Sequence, residues 1–561
     1  MNDDTMKKLR KGTKTSIRAD VIVLGCSLPG LVTANKLKKK FGDSMDIVVL
    51  DLVSSQVQVQ SKCNIAFQEN LKTNSDSSHD SNSSTTNSEK LKDSKIKEQM
   101  HTSTREYLIQ YGQDLRVPLP PSIISPLDQI SPYKKIFQFR DGQFVPCTDQ
   151  YNKFQFLNFL ERFELNQYEK YLDLNMKMLF KSYMFNDVKE RLRLRYYDQT
   201  SMEKNICDYL ICSTSREIMR TTVTLVCGAP ASTVSLLFYL HQCYRTCGSR
   251  HHVDGQNTRH REKLLGYCRK RIAIQLQQNI ANITLPEKSI KNIRSYTDSD
   301  MDLVILETLG ESTYICTILA MALRPEQLLK IEFDHRLLPE QVAQIIKGLT
   351  PGKAKKFLIQ YNENFWESLG YSGDILSLRG PILWAMARPR LSYTGSVEKY
   401  AALIGYLRVE DDETIGSEAA VVQQLIKLFG QDAATPVSYR ETSIADIIVP
   451  RCGDYIGLRV LTSDVGPKGV EWGAFDVFAE GDVAAALEAG HSAYLHLLKC
   501  LRPQAQTFED SAVGDWLPLL DDFPITRLYA HVNVISTIKF TMFMTALVVG
   551  TKLLRSYLHQ K

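Results

Sequence analysis

The chain opens on an apolar β-rich run from Ala19 to Gly25, a helical stretch from Leu28 to Lys40 and a second strand from Asp46 to Asp51. This spacing predicts a βαβ unit, and so a parallel pair of strands around which the rest must be built. The turn between the first strand and the helix is Gly25-Cys26-Ser27-Leu28-Pro29-Gly30. In the fingerprint G-x-G-x-x-G the first Gly makes a tight turn and the second lets a pyrophosphate approach the backbone. The third permits close helix–strand packing, and the helix N-terminus faces the phosphates. Here the first and third glycines stand, and Ser27 in the middle place reduces the room for a diphosphate. Asp51 follows Gly30 by 21 residues, where an acid would bond a ribose hydroxyl. Two readings fit: a nucleotide site, or a βαβ unit kept as architecture alone.

The 561 residues are enough for two or more lobes, since domains usually run to ~100–200 residues. A net charge of +5, with no long basic run in the body, is too small to suggest a nucleic-acid binder, and none is expected as partner. Twelve cysteines are spread along the chain, and Met1 to Arg18 is charged without the apolar stretch of a signal peptide. Free thiols in a reducing compartment are therefore expected.

Residues 72–103 are dominated by Ser, Asn, Asp, Thr and Lys, and have almost nothing to bury; they read as a disordered insertion. Beyond them, helices are expected over Tyr151–Tyr171 and Val223–Tyr244, and two strands around a Gly turn within Met301–Leu323. A strand is expected at Lys356–Tyr361, a helix at Ser417–Phe429, and a strand at Val477–Ala479 leading into a helix at Val483–Leu501. Strands alternating with helices over long excursions fit a two-lobed α/β protein.

Several phrases then carry a resemblance. Thr313 to Glu340 (TYICTILAMALRPEQLLKIEFDHRLLPE) resembles a monoamine oxidase segment in which a strand leads to paired prolines and a KIxFxPxLP phrase. Gly352 to Asp374 is similar to that family's lysine, apolar strand and Y-x-x-x-FW. Tyr400 to Gly405 resembles its YAAIMGF strand, and Gly481 to Gly490 (GDVAAALEAG) its GYMEGAVEAG helix. Phe523-Pro524-Ile525-Thr526 and the hydrophobic tail resemble its membrane-anchoring region. Over most of its length outside 72–103, the chain resembles the flavin-containing monoamine oxidases. The fold this implies is α/β and two-lobed: a Rossmann-type dinucleotide-binding lobe, a mixed-sheet substrate lobe and a C-terminal transmembrane helix. On that plan 1–18 is a tail, 19–71 the βαβ of the FAD lobe, and 104–480 the substrate lobe interleaved with FAD-lobe segments. A C-terminal FAD-lobe helix (481–505), a linker (506–530) and a tail anchor (531–555) follow.

The resemblance implies FAD as cofactor and an amine as substrate, oxidised to an imine while oxygen becomes hydrogen peroxide. It makes Lys356 the catalytic lysine, nine residues before Phe365, and Cys452 the cysteine that carries the flavin. The cofactor-binding candidates are then Gly25, Ser27, Leu28, Gly30, Asp51, Cys452 and Gly481. Other parts of the pattern are altered. Gly453 stands where an aromatic wall should follow the cysteine, and Asp482 where the second should stand, although Tyr455 could partly replace the first. Leu52 to Gln58 replaces the Gly-Gly-Arg phrase that wraps the diphosphate, and Asp254-Gly255-Gln256-Asn257 replaces a Gly-rich phrase. Phe478 to Asp482 is a shortened form of the segment whose helix N-terminus faces the flavin.

His241, Cys243, Cys247 and His251 match no zinc spacing, so no metal is expected. The tail has an apolar stretch from Phe540 to Thr551 between Lys539 and Lys552/Arg555; it spans a bilayer if extended to Val532–Leu554 with the lysines snorkelling. The expected partners are a membrane through this helix, an amine, and a second copy in a homodimer. The expected setting is the cytosolic face of the mitochondrial outer membrane. Two functions compete: a catalytically impaired relative with a binding or scaffolding role, and a working FAD-dependent amine oxidase.

Overall fold

β1 (Ser16–Leu24) and β2 (Ile47–Leu52) pair in parallel, with α1 (Leu28–Phe41) crossing between them. The computed structural model describes residues 16–52, 103–117, 133–147, 151, 154–179, 188–246, 267–287, 289–298, 301–310, 312–351, 355–388, 399–408, 418–443, 448–461, 469–475, 483–507, 510, 532 and 534–559. The expected insertion at 72–103 falls outside them, apart from Ser103.

The first sheet has the order β5 (Thr284–Glu287), β2, β1, β8 (Thr313–Met321), β7 (Met301–Thr308), β6 (Ile290–Asp298), β9 (Glu332–Phe333). β17 (Val470–Glu471) also pairs with β8. β5, β2, β1, β8 and β17 run parallel, so their carboxyl ends share one edge, where open α/β sheets hold ligands. Val21, Ile22, Val23 and Leu24 are fully buried, as a strand covered on both faces requires. One face is covered by α1, α2 (Ser103–Asp114), α8 (Tyr267–Asn279) and α12 (Val483–Leu501).

The second sheet has the order β15 (Ser438–Ser443), β11 (Lys355–Tyr361), β14 (Ala401–Leu407), β13 (Ile382–Ala387), β12 (Tyr371–Ser377), β3 (Lys134–Gln138), β4 (Phe144–Cys147). It is mixed, because β12 and β3 are parallel while the other neighbours are antiparallel. α10 (Glu418–Phe429) packs Val421, Leu425 and Leu428 on one face. The other contributes Leu376, Trp384 and Tyr406 to a core shared with α3 (Phe159–Leu179), α4 (Val188–Gln199), α5 (Met202–Tyr209), α6 (Ser213–Cys227) and α7 (Leu236–Thr246). β10 (Thr350–Pro351) pairs with β16 (Ile448–Val449), and α9 (Glu340–Lys347) packs on α11 (Tyr455–Leu461). This is the expected two-lobed α/β plan.

Two elements differ from expectation, each for a local reason. The helix expected from Tyr151 starts at Phe159, because Asn158 and Glu161 cap one another: Asn158 Oδ1 accepts the Glu161 N–H at 2.8 Å and Glu161 Oε2 the Asn158 N–H at 3.3 Å. The helix expected over Val223–Tyr244 is two. α6 stops at Gly228 in the left-handed region (φ 68°), and Ser235 starts α7 by accepting the Phe238 N–H at 3.1 Å. The strand expected at Val477–Ala479 lies outside the described residues, and Val470–Glu471 is the one that pairs beside β8.

α13 (Val534–His559) carries a 20-residue stretch, Ser536–Arg555, long and apolar enough to cross a membrane, and none of it is buried against the body. Phe540, Met542 and Phe543 are each more than 60% exposed (64%, 67% and 63%), which argues against a helix that packs on the body.

Candidate cofactor cleft

The turn between β1 and α1 keeps the backbone path of a dinucleotide-binding loop. Gly25 has φ +106°, and its N–H donates to Leu50 O at 2.9 Å. A Cβ on Gly25 would lie 2.4 Å from Ala322 O, and one on Gly30 would lie 2.5 Å from Ala322 Cβ. Ala322 follows β8, so both glycines are required by the chain's own packing before any ligand is considered. α12 closes on the same turn: the Thr33 hydroxyl donates to Pro29 O at 2.9 Å or Gly490 O at 3.0 Å, and a Cβ on Gly490 would meet Pro29 O at 2.5 Å.

The groups that would meet a diphosphate and a ribose have partners within the chain. Ser27 is the N-cap of α1, and its hydroxyl accepts the Gly30 N–H in a long bond of 3.5 Å. Leu28 is buried in the core beneath α1. Asp51, at the end of β2, takes a hydrogen bond from the Cys26 thiol. Burial first, and then the Asp51 carboxylate, push that thiol up to about 12, so it stays protonated and donates. The residues present thus fit the course of an FAD turn, while the donor and acceptor set is engaged elsewhere. Gly481 and Asp482 lie outside the described residues, as do Val53 to Gln58, Asp254 to Asn257 and Phe478.

Lys356 sits near the start of β11, half-buried, between Tyr406 of β14 and Thr442 of β15. Tyr406 is buried and tilts over Trp384, with ring centroids 6.2 Å apart. The lysine is therefore held between β14 and the edge strand β15 of the second sheet.

Cys452 lies in the turn between β16 and α11. Its thiol donates to Thr233 O at 3.6 Å, and burial followed by the Asp198 charge raises it above the ordinary thiol range. Its described partners belong to α4 and the α6–α7 connection. Gly453 has φ +97°, and a Cβ there would find only Gln199 Cγ at 3.9 Å, so among the described residues nothing walls that position. Tyr455 does not fill it: the ring is buried, its hydroxyl is bonded to His241 Nδ1, and it packs edge-on to Phe238 at 5.5 Å.

Two buried acids were not expected from the sequence. Asp198, 1% exposed, accepts the Ser235 hydroxyl at 3.2 Å and the Ile456 N–H at 3.1 Å, joining α4, α7 and α11. Burial raises its carboxyl to about 6 against those hydrogen bonds. Glu471, fully buried at the carboxyl end of β17, accepts the Gly473 N–H at 2.6 Å and lies 3.2 Å from His496 Nδ1, and its Oε2 has no hydrogen-bond partner among the described residues. Neither stands in a motif, because their partners come from distant segments. Among the described residues no cluster of His, Cys, Asp and Glu comes together as for a metal ion, and Cys247 and His251 lie outside them.

No protein-family model matches the sequence. Among curated proteins it is similar to flavin-containing amine oxidase B of the dog, 22% identical over 256 residues, 44% of this chain and 47% of that protein. It is also similar to the dog's amine oxidase A, 27% identical over 180 residues, 32% of this chain and 33% of that one. The chain thus spans less than half the length of these relatives. Among solved structures, a putrescine oxidase variant from a redesign of its cofactor binding superposes with a TM-score of 0.63 at 14% identity, covering 86% of this chain and 100% of that one. Cyclohexylamine oxidase from Brevibacterium oxydans IH-35A gives 0.58 at 17% identity, covering 85% and 99%. The chain thus has the fold of these amine oxidases and, over part of its length, is similar to the flavin-containing amine oxidases A and B.

Proposed function

We propose that the chain is a membrane-anchored monoamine-oxidase-like protein, catalytically impaired, with a binding or scaffolding role at the cytosolic face of the mitochondrial outer membrane. The observation that carries this reading is the self-engaged turn: Ser27 accepts the Gly30 N–H, the Cys26 thiol donates to Asp51, and the two glycines are already used against Ala322. A diphosphate would have to displace the Ser27 hydroxyl from the helix end that usually greets it. The open flank of Gly453 and the burial of Tyr455 also support it, since an aromatic wall needs a ring at that place.

A second reading is an active FAD-dependent amine oxidase, favoured by the backbone path at Gly25 and the position of Lys356 in β11. FAD, where held by the turn, supplies the redox chemistry that turns an amine into an imine with release of hydrogen peroxide. The absorbance of purified protein between about 350 and 500 nm, native and after acid precipitation, separates the two. The expected result is a colourless protein that takes up no added FAD. Flavin bands that stay with the pellet and vanish in Cys452→Ala would establish the oxidase reading instead.

The anchor has its own test. Deleting residues 534–561 should move the protein from the carbonate-resistant membrane pellet to the supernatant. Retention in the pellet would refute anchoring by α13.

A further inference from the structure

The Asp510 carboxylate gathers donors from three parts of the chain. Asp510 Oδ2 accepts from three donors: the Thr507 hydroxyl at 2.7 Å, the Thr507 N–H at 2.9 Å and Lys40 Nζ at 2.8 Å. Its Oδ1 accepts the Tyr494 hydroxyl at 2.9 Å, and its carbonyl lies 3.1 Å from His491 Nε2. Lys40 lies in the last turn of α1 while Tyr494 and His491 lie on α12, so Asp510 is tied to the lobe built on the first sheet. The Asp510 side chain is 12% exposed and that of Lys40 is 24% exposed, so salt screens this pair less than an open surface pair. Burial alone would raise the Asp510 carboxyl, but Lys40, Thr507 and Tyr494 together hold it well below the ordinary carboxylate range.

The hydroxyl in this latch is exposed. Thr507 is followed by Phe508, Glu509 and Asp510, placing acids two and three residues after a hydroxyl, the pattern acidophilic serine/threonine kinases read. We propose that Thr507 is a phosphorylation site whose modification releases the Asp510 latch and frees the connection to α13. In that step the Thr507 oxygen attacks the γ-phosphorus of a nucleoside triphosphate. The bond to the nucleoside diphosphate breaks, and the hydroxyl proton passes to the kinase's base. The product cannot donate the 2.7 Å bond, and it sets about −2 of charge against a carboxylate it formerly touched. Lys40 Nζ, which is also 3.4 Å from Thr507 Oγ1, contacts both groups and cannot neutralise both anions. The phosphate keeps Lys40 as its partner, and Asp510 loses Lys40, Thr507 and its fit against Tyr494. None of this depends on whether the cleft holds a flavin.

The test uses the full chain in lipid nanodiscs, treated with an acidophilic serine/threonine kinase and ATP and mapped by mass spectrometry. Label is expected on Thr507 and absent from Thr507→Val. Proteolysis within residues 511–533 should be about tenfold faster in the phosphorylated chain than in the same chain unmodified. Asp510→Asn should reproduce that acceleration without kinase. No label on Thr507, or label with unchanged proteolysis, would overturn the proposal. Because the main comparison is between two forms of the wild-type chain, a variant that folds poorly does not blur it.

Discussion

Gly30→Ala should lower the stability of flavin-free protein by about 1–3 kcal/mol, and Gly25→Ala by more. The added carbon at Gly30 meets Ala322 Cβ at 2.5 Å and Gly25 O at 2.9 Å, neither of which can swing aside as a flexible side-chain end would. Overpacking of this kind usually costs about 1–3 kcal/mol. At Gly25 the clash is with backbone, Ala322 O at 2.4 Å, and φ of +106° adds strain of about 1–3 kcal/mol for any other residue. Gly42→Ala is the control for backbone strain without a clash: φ there is +53° and ψ −127°, nothing lies within 4 Å of the new carbon, and about 1–3 kcal/mol is expected. Thermal unfolding in detergent without added FAD measures all three. If Gly30→Ala leaves the flavin-free protein untouched and weakens only FAD uptake, the glycine serves a nucleotide and the binding-protein reading fails.

This expectation bears on what the sequence can say. G-x-S-x-x-G was legible as a strand–turn–helix because its glycines answer to the chain's own geometry: β1 and β8 run side by side, and the turn must pass within contact of Ala322. For the same reason their presence says little about a ligand. Long runs with plain periodicity were also legible: α1, α10, α12 and the β7–β8 pair fall within a residue or two of their expected bounds. What stayed hidden depended on partners remote in sequence or on a single cap. One long helix over Val223–Tyr244 looked continuous because apolar spacing persists through Gly228 to Ser235, yet a left-handed glycine and a serine cap divide it. The parallel strand Val470–Glu471 was missed because it is only two residues long and one of them is an acid. Nothing in a linear reading announces that Glu471 lies against Gly473 and His496, or that Tyr455 turns inward to His241.

Asp198→Asn should flatten the dependence of stability on pH between about 4 and 6. In the folded chain burial raises this carboxyl to about 6 from an ordinary 3.8. As pH rises from 3.8 the unfolded chain gives up the proton first, while the folded chain keeps it until about 6. The stabilisation is therefore complete below pH 3.8 and is lost as pH rises through about 6. At 1.36 kcal/mol per pH unit the loss is roughly 3 kcal/mol. Asparagine keeps the network without the charge: its oxygen can accept the Ile456 N–H, and its NH2 can donate to the Ser235 hydroxyl, which rotates to accept. Asp198→Ala leaves the Ile456 N–H without its acceptor and empties a buried site, so relative to Asp198→Asn it should cost about 2–4 kcal/mol at every pH. A wild-type slope that persists in Asp198→Asn would assign the titration to another group. The same variant reaches the candidate site, because the Asp198 charge is the second cause, after burial, that holds the Cys452 thiol protonated. Alkylation of Cys452 at about pH 8 should be faster in Asp198→Asn than in wild type, since the thiolate is the nucleophile. The same protonation works against a covalent bond to flavin, so in this fold the acid that joins α4, α7 and α11 also disfavours the thiolate of the candidate attachment cysteine.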